Sequence, residues 1–354
     1  MFGLGNNGFT RGMAAILMAT GLASCASHLP HSTLPTVSAR PDLPIMQDGS
    51  SEASVRISLL TYNVAGLPWP KRAGTRTAMA RIAAAWPEEF GEQSPDITVL
   101  QETFVPAATS LPSQIGYAHW VRGPRRGDRI DPLIEPAARD FRKARRLRKG
   151  ERFGTFVGSG LLLATDLAIL RNVTQPFGRQ SCAGYDCLSN KGVQLVEIAI
   201  PGMPEPLFVL NAHLNSNGAA GVPSEHSLYA YQRQVREIEM LLEAEWAGRG
   251  PLIVAGDFNA RGNLDRFGEA DEKVLGELAH RFCINRPDRC AVAMSWDSDE
   301  PWMDTQDLQG FRAGRLVSLQ PVAIRARFDR PYDGEMLSDH DGLEVVWELR
   351  WQMR

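Results

Sequence analysis

The stretch PLIVAGDFNA, residues 251–260, joins a short apolar run to two polar side chains, Asp257 and Asn259. Four apolar residues followed by a turn of small residues predict a buried β-strand that ends close to residue 257. Side chains two residues apart in an extended chain point to the same face. The strand therefore aims an acid and an amide at one point, and other parts of the chain must supply the groups that they meet there.

Six further stretches have the composition and length of β-strands, and two are typical of helices. The strands are predicted at 55–64, 96–102, 158–166, 193–200, 206–214 and 342–350, and the helices at 76–90 and 224–246. A Pro/Gly turn joins strands 193–200 and 206–214, which favours antiparallel pairing. The pattern predicts one β-rich α/β domain over residues 53–354, without the regular strand–helix alternation of a doubly wound sheet.

Polar side chains follow several of these apolar runs, at the point where each run ends. They are Asn63, Glu102, His213, Asp257 with Asn259, and Asp339 with His340 just before the last strand. One polar residue at a strand end is ordinary, because strands often stop at a turn residue. Carboxylates, amides and imidazoles at five such places are the inventory of a hydrolase site that holds a hard metal ion.

This inventory suits the hydrolysis of a phosphate ester. Because a phosphate anion repels hydroxide, the reaction needs a cation at the phosphate oxygens, a base for the water and donors for the transition-state charge. Mg²⁺ takes oxygen ligands and needs only one or two protein carboxylates, which points to Glu102 with the amide oxygen of Asn63. Zinc is less suited, since there is no HExxH motif and no His-rich cluster.

Histidine has the unperturbed pKa nearest neutrality, about 6.5, so His340 is the candidate base. A carboxylate partner would hold its tautomer and support its protonated form. The adjacent Asp339 is one candidate for that partner. Neighbours on a strand point to opposite faces, so a carboxylate from another loop is the alternative.

Five stretches, in chain order, resemble the endonuclease/exonuclease/phosphatase superfamily, the fold shared by deoxyribonuclease I, inositol polyphosphate phosphatases and neutral sphingomyelinases. They are LTYNVAGLP (60–68), LQETF (100–104), NAHLNS (211–216), AGDFNA (255–260) and LSDHDGL (337–343). The resemblance implies a four-layer α/β/β/α sandwich of two mixed, largely antiparallel sheets flanked by helices. It also implies that Asn63 and Glu102 lie at one or two Mg²⁺ ions, and that Asp339 neighbours the metal or a second ion.

The same resemblance implies a catalytic role for four more residues. His213 would hydrogen-bond the scissile phosphate and assist the leaving group. Asp257 would hold or activate water, and Asn259 would orient the phosphate. His340 would act as the general base.

Within the superfamily, YNVAGLP, CLSNKGV (187–193) and LSDHDGL resemble the sphingomyelinase-like branch, and QDLQGFR (306–312) is similar to a branch feature in which an Asp precedes a Phe-Arg pair. Lys191, Asp307 and Asn215, which stands where that branch more often carries Gln, are therefore candidate substrate-binding residues. For Lys191 the alternative is a surface salt bridge. No long aromatic hairpin for membrane insertion is visible.

The function that this branch implies is that of a monomeric, Mg²⁺-dependent phosphodiesterase that hydrolyses a phospholipid head group, as sphingomyelinase C does. The same residues would also serve a secreted metal-dependent nuclease or a phosphomonoesterase. A non-catalytic phosphate-binding module is the alternative of another class, and it is disfavoured because no expected catalytic residue is missing.

The N-terminus predicts export. Arg11 precedes an apolar run, residues 13–23, that is too short for a stable membrane span but suits a secretory signal. LASC, residues 22–25, resembles a bacterial lipobox, which implies cleavage before Cys25 and acylation of its thiol; a plain signal peptide cut elsewhere is the alternative. Ala26 rather than Asp follows the cysteine, a pattern that resembles lipoproteins sorted to the outer membrane. Residues 26–52, rich in Pro, Ser and Ala, predict a flexible tether between this lipid anchor and the body.

The four remaining cysteines form two short-range pairs, Cys182 with Cys187 and Cys283 with Cys290. Oxidising compartments preserve disulfides, so an exported chain predicts two local bridges. A four-thiolate zinc site is the alternative, although such sites normally use tighter Cys-x-x-Cys spacing.

Charge is unevenly distributed along the chain. The net charge of −3 predicts no polyanion partner by itself, but residues 122–152 hold 12 basic and 5 acidic side chains. One interpretation is a solvated helical insertion, since PAARDFRKARRLRKG (136–150) has good helix formers and ends at Gly150. The other is a patch that binds anionic lipid or nucleic-acid phosphate.

Overall fold

The computed structural model describes residues 51–353 except 132, 296 and 297, together with the backbone of residues 31–32 and 46–47. The predicted signal peptide and the acylation site Cys25 lie outside the described residues, as does most of the predicted tether. The two short tether segments that are described each pair with a strand of the body.

Two β-sheets form the body of the protein. Sheet I has the order β1 (His31–Ser32), β7 (Ala168–Pro176), β8 (Gly192–Ala199), β9 (Leu207–His213), β10 (Leu252–Asp257), β13 (Asp307–Arg312) and β11 (Glu277–Leu278). Sheet II has the order β12 (Ala291–Ala293), β14 (Val317–Arg327), β15 (Gly342–Gln352), β3 (Glu52–Asn63), β4 (Ile97–Gln101), β6 (Leu162–Thr165) and β5 (His119–Arg122), with β2 (Met46–Gln47) paired to β3. Only the β9–β10, β3–β4 and β12–β14 pairs among the described strands are parallel, so both sheets are mixed and largely antiparallel.

Most helices cover the outer faces of the sheets, and one, Ala279–Asn285, instead packs its buried apolar residues into the apolar cluster between them. The helices are α1 (Thr75–Phe90), α2 (Pro106–Thr109), α3 (Leu111–Gln114), α4 (Arg139–Ala144), α5 (Ser224–Leu241), α6 (Leu264–Ala270) and α7 (Ala279–Asn285). One apolar cluster joins the two sheets, a second joins sheet I to α5 and α6, and a third joins sheet II to α1. The predicted four-layer sandwich is therefore confirmed.

Strand alternation explains the layers. In β3, Val55, Ile57 and Leu59 enter the cluster between the sheets, whereas Leu60 and Tyr62 pack toward α1. Side chains of a strand point to opposite faces in turn, so β3 is buried on both faces only over residues 59–63, whereas its first half alternates buried and more exposed residues.

The predicted helix over 136–150 is wrong. Only Arg139–Ala144 is α-helical, and a separate 3₁₀ turn at Leu147–Lys149 ends at Gly150. Arg145 between them has a non-helical backbone, and its side chain turns inward, donates to Arg179 O at 2.8 Å and lies against the sulfurs of the Cys182–Cys187 bridge. Tertiary contacts thus override the local helix propensity.

Both predicted disulfides are present, Cys182–Cys187 and Cys283–Cys290. The four-thiolate zinc site is therefore excluded. Two such bridges are typical of a protein that folds outside the cytosol. In the part of the chain that the structure describes, no helix has the length and apolar character needed to cross a bilayer.

Candidate active site

Three neighbouring strands of sheet I each place a charged or titratable residue at the same edge of the sheet. His213 and Asp257 end β9 and β10, and Asp307 begins the antiparallel β13. The parallel register of β9 and β10 pairs His213 with Asp257, and the antiparallel register of β10 and β13 pairs Asp257 with Asp307. By strand alternation all three side chains lie on the face that packs against sheet II, like Ile253 and Ala255 before them. Sheet I therefore presents a histidine and two carboxylates to the gap between the sheets.

A layer of buried amides separates these residues from the apolar core. Gln101 donates to Asn211 Oδ1 at 2.9 Å, which joins sheet II to sheet I. Gln309 of sheet I donates to Leu59 O at 3.0 Å and to Leu343 O at 2.8 Å in sheet II. Because buried polar groups are costly unless they are hydrogen-bonded, these contacts fix how the two sheets sit beneath the site.

Sheet II brings in Asn63 and Glu102. Asn63, the last residue of β3, donates from Nδ2 to Asp257 Oδ2 at 2.9 Å across the gap. Asn63 is paired in register with Gln101, so Glu102 emerges directly beside it. The loop before β15 is held to the same strand end, since Ser338 Oγ donates to Asn63 O at 2.6 Å.

His340 is held by Asp307. Its Nδ1 lies 2.6 Å from Asp307 Oδ2, and its Nε2 lies 3.9 Å from Asp257 Oδ2. The carboxylate partner of His340 thus comes from another strand and not from the adjacent Asp339, which is exposed. Asp307 was expected to bind substrate, but its Oδ2 is engaged by the imidazole and its side chain is buried, so the geometry makes it the partner of His340 instead.

These contacts keep a proton on His340. Burial disfavours the charged imidazole, but the carboxylates of Asp307, Asp257 and Asp339 outweigh it and raise the pKa of His340 to about 10. Burial raises the pKa of Asp307 to about 6, and His340 lowers it only in part. At neutral pH the two side chains therefore form an ion pair in the absence of other ligands.

His213 is neutral and is hydrogen-bonded to Lys191. Nζ of Lys191 lies 3.0 Å from His213 Nε2, 2.8 Å from Leu214 O and 2.6 Å from Asp186 Oδ1. An ammonium only donates, so Nε2 is the acceptor and the ring proton resides on Nδ1. Burial and the charge of Lys191 lower the pKa of His213 well below its usual value. Lys191 forms a buried ion pair with Asp186, which differs from the surface salt bridge considered above, and all three of its protons are engaged.

Asn215 does not reach a substrate. Its side chain is fully buried, with Oδ1 accepting from Ala183 N at 2.8 Å and Nδ2 donating to Ser216 O at 3.0 Å. The prediction that Asn215 binds substrate is therefore corrected, because it positions the loop that carries the Cys182–Cys187 bridge. Asn259 lies at the site, and its Nδ2 donates to Leu214 O at 3.1 Å.

The backbone is strained at the two places where the site needs a sharp turn. Glu102 has φ of 58° and Asn259 has φ of 49°, a left-handed conformation that few non-glycine residues adopt. Gly66 allows the first turn, since a Cβ at this position would lie 2.4 Å from Glu102 O. Strain of this kind is often found where a chain positions functional groups.

Glu102 and Asn63 fit a divalent metal with oxygen ligands. Burial raises the pKa of Glu102 to about 7, and Lys191 lowers it only in part. Together with Asp257 and Asp307 this gives more carboxylates than cations at the site, an imbalance that a divalent ion would offset. Among the described residues no group of three or more His, Cys, Asp or Glu side chains forms a metal cluster. Mg²⁺ does not require one, because it retains water ligands.

A family model for the endonuclease/exonuclease/phosphatase family matches residues 60–309, which is most of the chain and includes the strand ends described above except the loop of Asp339 and His340. The chain belongs to this family. Its members are phosphoric ester hydrolases that depend on divalent metals, so this chain is an enzyme of that class. No curated protein sequence matches the chain.

Solved structures with the same fold include enzymes with different substrates. Beta toxin from Staphylococcus aureus shares 15% identity over 82% of this chain and 99% of that chain, with a TM-score of 0.55. Sphingomyelinase C from Streptomyces griseocarneus shares 20% identity over 82% and 99% of the two chains, with a TM-score of 0.54. TDP2 from D. rerio, solved with a single-strand DNA product, shares 14% identity over 82% and 98%, with a TM-score of 0.54. At these identities the likeness supports the fold alone.

Two residues that shape the site are not predicted from the sequence. Asp186 binds Lys191 and also accepts from Ser216 N at 2.8 Å. Arg266, fully buried, donates to Ser227 Oγ at 3.0 Å and to Asn259 O at 3.3 Å. The only signal for Asp186 is its place between the two cysteines of a predicted bridge, and Arg266 has the sequence context of an ordinary surface helix.

Proposed function

We propose that this chain is a Mg²⁺-dependent phosphodiesterase that hydrolyses the head group of a phospholipid, as sphingomyelinase C does. The observation that carries the proposal is the convergence of Asn63, Glu102, Asp257, Asp307 and His340 at one edge of the gap between the sheets. An imidazole, carboxylates and amides in one place match what hydrolysis of a phosphate diester needs.

His340 is the general base in this proposal. Asp307 fixes its ring through Nδ1, which leaves Nε2 facing Asp257 and the gap where a water would lie. A base must lose its proton before it can accept one from water, so the charge balance around His340 matters. Bound metal would weaken the negative field that now holds the proton on the ring.

Glu102 and the amide oxygen of Asn63 would hold the metal, with Asp339 close to it or to a second ion. When bound, a divalent cation neutralises charge on the phosphate oxygens. Asn63 Oδ1 accepts from Ala65 N at 3.0 Å, which orients the amide so that its Nδ2 donates to Asp257.

On the opposite side of Asp257, His213 and Asn259 lie where they would contact the phosphate. The Nε2 atom of His213 faces the gap, 3.3 Å from Asp257 Oδ2, whereas Nδ1 is buried and has no partner among the described residues, so contact with the phosphate would be made through Nε2. Lys191 supplies positive charge through its contact with His213 without reaching the phosphate itself. His213 therefore keeps its expected role at the phosphate, whereas Lys191 positions His213 and does not bind the substrate itself.

A metal-dependent nuclease is the second candidate. Residues 122–152 carry a net charge of +7, and a strongly basic surface suits a phosphate backbone. Both candidates use the same catalytic residues. They therefore differ only in what the surface around the site accepts.

The deciding experiment assays the same purified protein on two substrates, sphingomyelin vesicles and DNA. We expect a chain of residues 26–354, which retains all the described elements, to release phosphocholine from sphingomyelin vesicles with Mg²⁺ and to stop when EDTA is added. Cleavage of DNA without action on vesicles would reject the lipid substrate. The His340→Ala variant identifies contaminating activity, because it should be inactive on either substrate.

Export to the cell envelope, with an outer-membrane lipid anchor at Cys25, remains part of the proposal. The two disulfides support export. Labelling of the full chain with radioactive palmitate in a bacterial host tests the anchor: we expect label in the wild type and none in Cys25→Ser. Equal label in both would remove the anchor from the proposal.

A further inference from the structure

Trp69 is the most exposed large apolar side chain of the described residues, with 82% of its surface accessible. It stands between Pro68 and Pro70 in the loop that follows β3. The base of that loop is held firmly, since Arg72 donates to Ala65 O at 2.8 Å and to Leu337 O at 3.1 Å. An exposed indole on a fixed loop costs solubility without serving the core, so it requires another explanation.

An apolar pocket of about 340 Å³ lies beside Trp69. Its lining is mostly apolar, with Leu67, Pro68 and Val105 among the residues, and it also includes Arg72 and Arg76. Val105 follows Glu102 by three residues, so the pocket adjoins the metal side of the site. The apolar part of this lining accepts hydrocarbon, and the two arginines suit the phosphate of an anionic lipid.

Cations and aromatic rings continue from this loop to the basic segment. Nζ of Lys71 lies 4.8 Å from the centre of the Tyr185 ring, and Nζ of Lys149 lies 5.2 Å from it. Phe153 and Phe156, 60% and 57% exposed, come directly after the basic segment, residues 122–152. We call Trp69, Lys71, Lys149, Phe153, Phe156 and Tyr185 the rim.

The rim adjoins the active site. Tyr185 precedes Asp186, which binds Lys191 and through it His213. Phe156 N donates to Leu188 O at 2.6 Å, so the chain directly after the basic segment is joined to the same loop. A surface that met the rim would therefore lie against the entrance to the site.

We propose that the rim docks on the surface of a bilayer that contains anionic phospholipid, with Trp69 inserted at the level of the head groups. Indole rings favour that level of a membrane, and lysines beside them are attracted to anionic lipid. A nucleic acid is less suited, because it has no hydrocarbon chain to fill the apolar part of the pocket beside Trp69. Docking concerns binding alone, so it does not depend on the reaction proposed above.

Vesicle sedimentation of the chain 26–354 tests the proposal. Vesicles of phosphatidylcholine, with and without phosphatidylglycerol, contain no sphingomyelin, and EDTA is present throughout, so turnover plays no part. We expect preference for phosphatidylglycerol and a loss of binding of about 10-fold in Trp69→Ala, since one large apolar side chain leaves the interface. The double variant Lys71→Glu, Lys149→Glu should lose the preference for anionic vesicles.

Matched controls come from the opposite end of the sheets. Leu316→Ala and Arg315→Glu change exposed residues in the turn after β13, at the end far from Asp307, and both should bind like the wild type. A second readout is quenching of tryptophan fluorescence by brominated lipid, which Trp69→Phe should largely remove. Unchanged binding in Trp69→Ala, or binding to a single-stranded oligonucleotide without binding to vesicles, would overturn the proposal.

Discussion

The two halves of the active site are built differently. In one half, His340 and Asp307 are joined by a 2.6 Å contact, and Asp307 is buried beside Asp257 in sheet I. In the other half, Glu102 is only partly buried and Asp339 is exposed, and both belong to loops at the ends of sheet II strands. The first half is fixed by its own hydrogen bonds, whereas the second presents carboxylate oxygens that a further ligand can use.

This difference suggests a division of labour. A base must be oriented before the substrate arrives, and a carboxylate behind the ring does so. Metal ligands must instead remain available to the ion, and the ion itself completes their arrangement. The proton-handling half and the metal-holding half meet at Asp257, which accepts from Asn63 and faces His340. Substitutions in each half should therefore fail in different ways.

The largest effect is expected for His340→Ala. Removal of the general base should lower kcat by about 10³–10⁴-fold while the thermal unfolding midpoint stays close to that of the wild type. His119→Ala is the control, because His119 lies on the edge strand β5 and pairs with Thr165 at the end of sheet II away from the site. A His340→Ala enzyme that retained its kcat would show that another group is the base.

Asp307→Asn should have the next largest effect. We expect kcat to fall by at least about 10²-fold, because the amide no longer fixes the charged ring. The carboxylate of Asp307 helps to raise the pKa of His340, so its loss should lower that pKa and move the acidic limb of the pH–rate profile to lower pH. A profile that keeps its acidic limb would mean that Asp307 acts on structure and not on His340.

Glu102→Gln should change the metal requirement before it changes the maximum rate. The substitution keeps the shape of the side chain but removes its charge, so the Mg²⁺ concentration that gives half of the maximal rate should rise by about 10–100-fold. Asp307→Asn provides the comparison, since its Mg²⁺ requirement should stay close to that of the wild type. If Mg²⁺ dependence were unchanged in Glu102→Gln, the metal would have to be held elsewhere.

Gln309→Met should affect stability more than chemistry. Gln309 donates to two carbonyls of sheet II and accepts from Trp347 Nε1, and these partners would be left unsatisfied. We expect the free energy of unfolding to fall by about 1–3 kcal/mol in denaturant titrations, with the Mg²⁺ requirement unchanged. Gln352→Met, at the exposed end of β15, should leave stability within error of the wild type.

Much of this architecture is predictable, because the positions of apolar residues along the sequence indicate the strands and the faces that they bury. β10 is apolar over residues 252–255, and β3 alternates apolar and polar residues before it becomes buried on both faces over residues 59–63; Asn63 and Asp257 stand out at their ends. β13 is not predicted as a strand, because Gln309, Asp307 and Gly310 give it the composition of a loop. Two of its inward side chains are polar because of their roles: Gln309 belongs to the amide layer, and Asp307 is the partner of His340.

Contacts between residues that are far apart in the sequence cannot be predicted from local composition. Asp307 and His340 are 33 residues apart and meet only because β13 lies beside β10 in sheet I. The inward turn of Arg145 depends on a disulfide loop that the sequence places further along the chain. Asn215 follows a predicted catalytic histidine by two residues, yet it faces the protein interior, because the strand ends between them.

The most direct test of the division between the two halves is Mg²⁺ binding measured by isothermal titration calorimetry on His340→Ala and Glu102→Gln, with neither substrate present. The structure predicts that His340→Ala binds Mg²⁺ as the wild type does or more tightly, because a positive charge has been removed, and that Glu102→Gln binds it at least about 10-fold more weakly. Equal affinities in the two variants, or loss of binding in His340→Ala alone, would contradict the account.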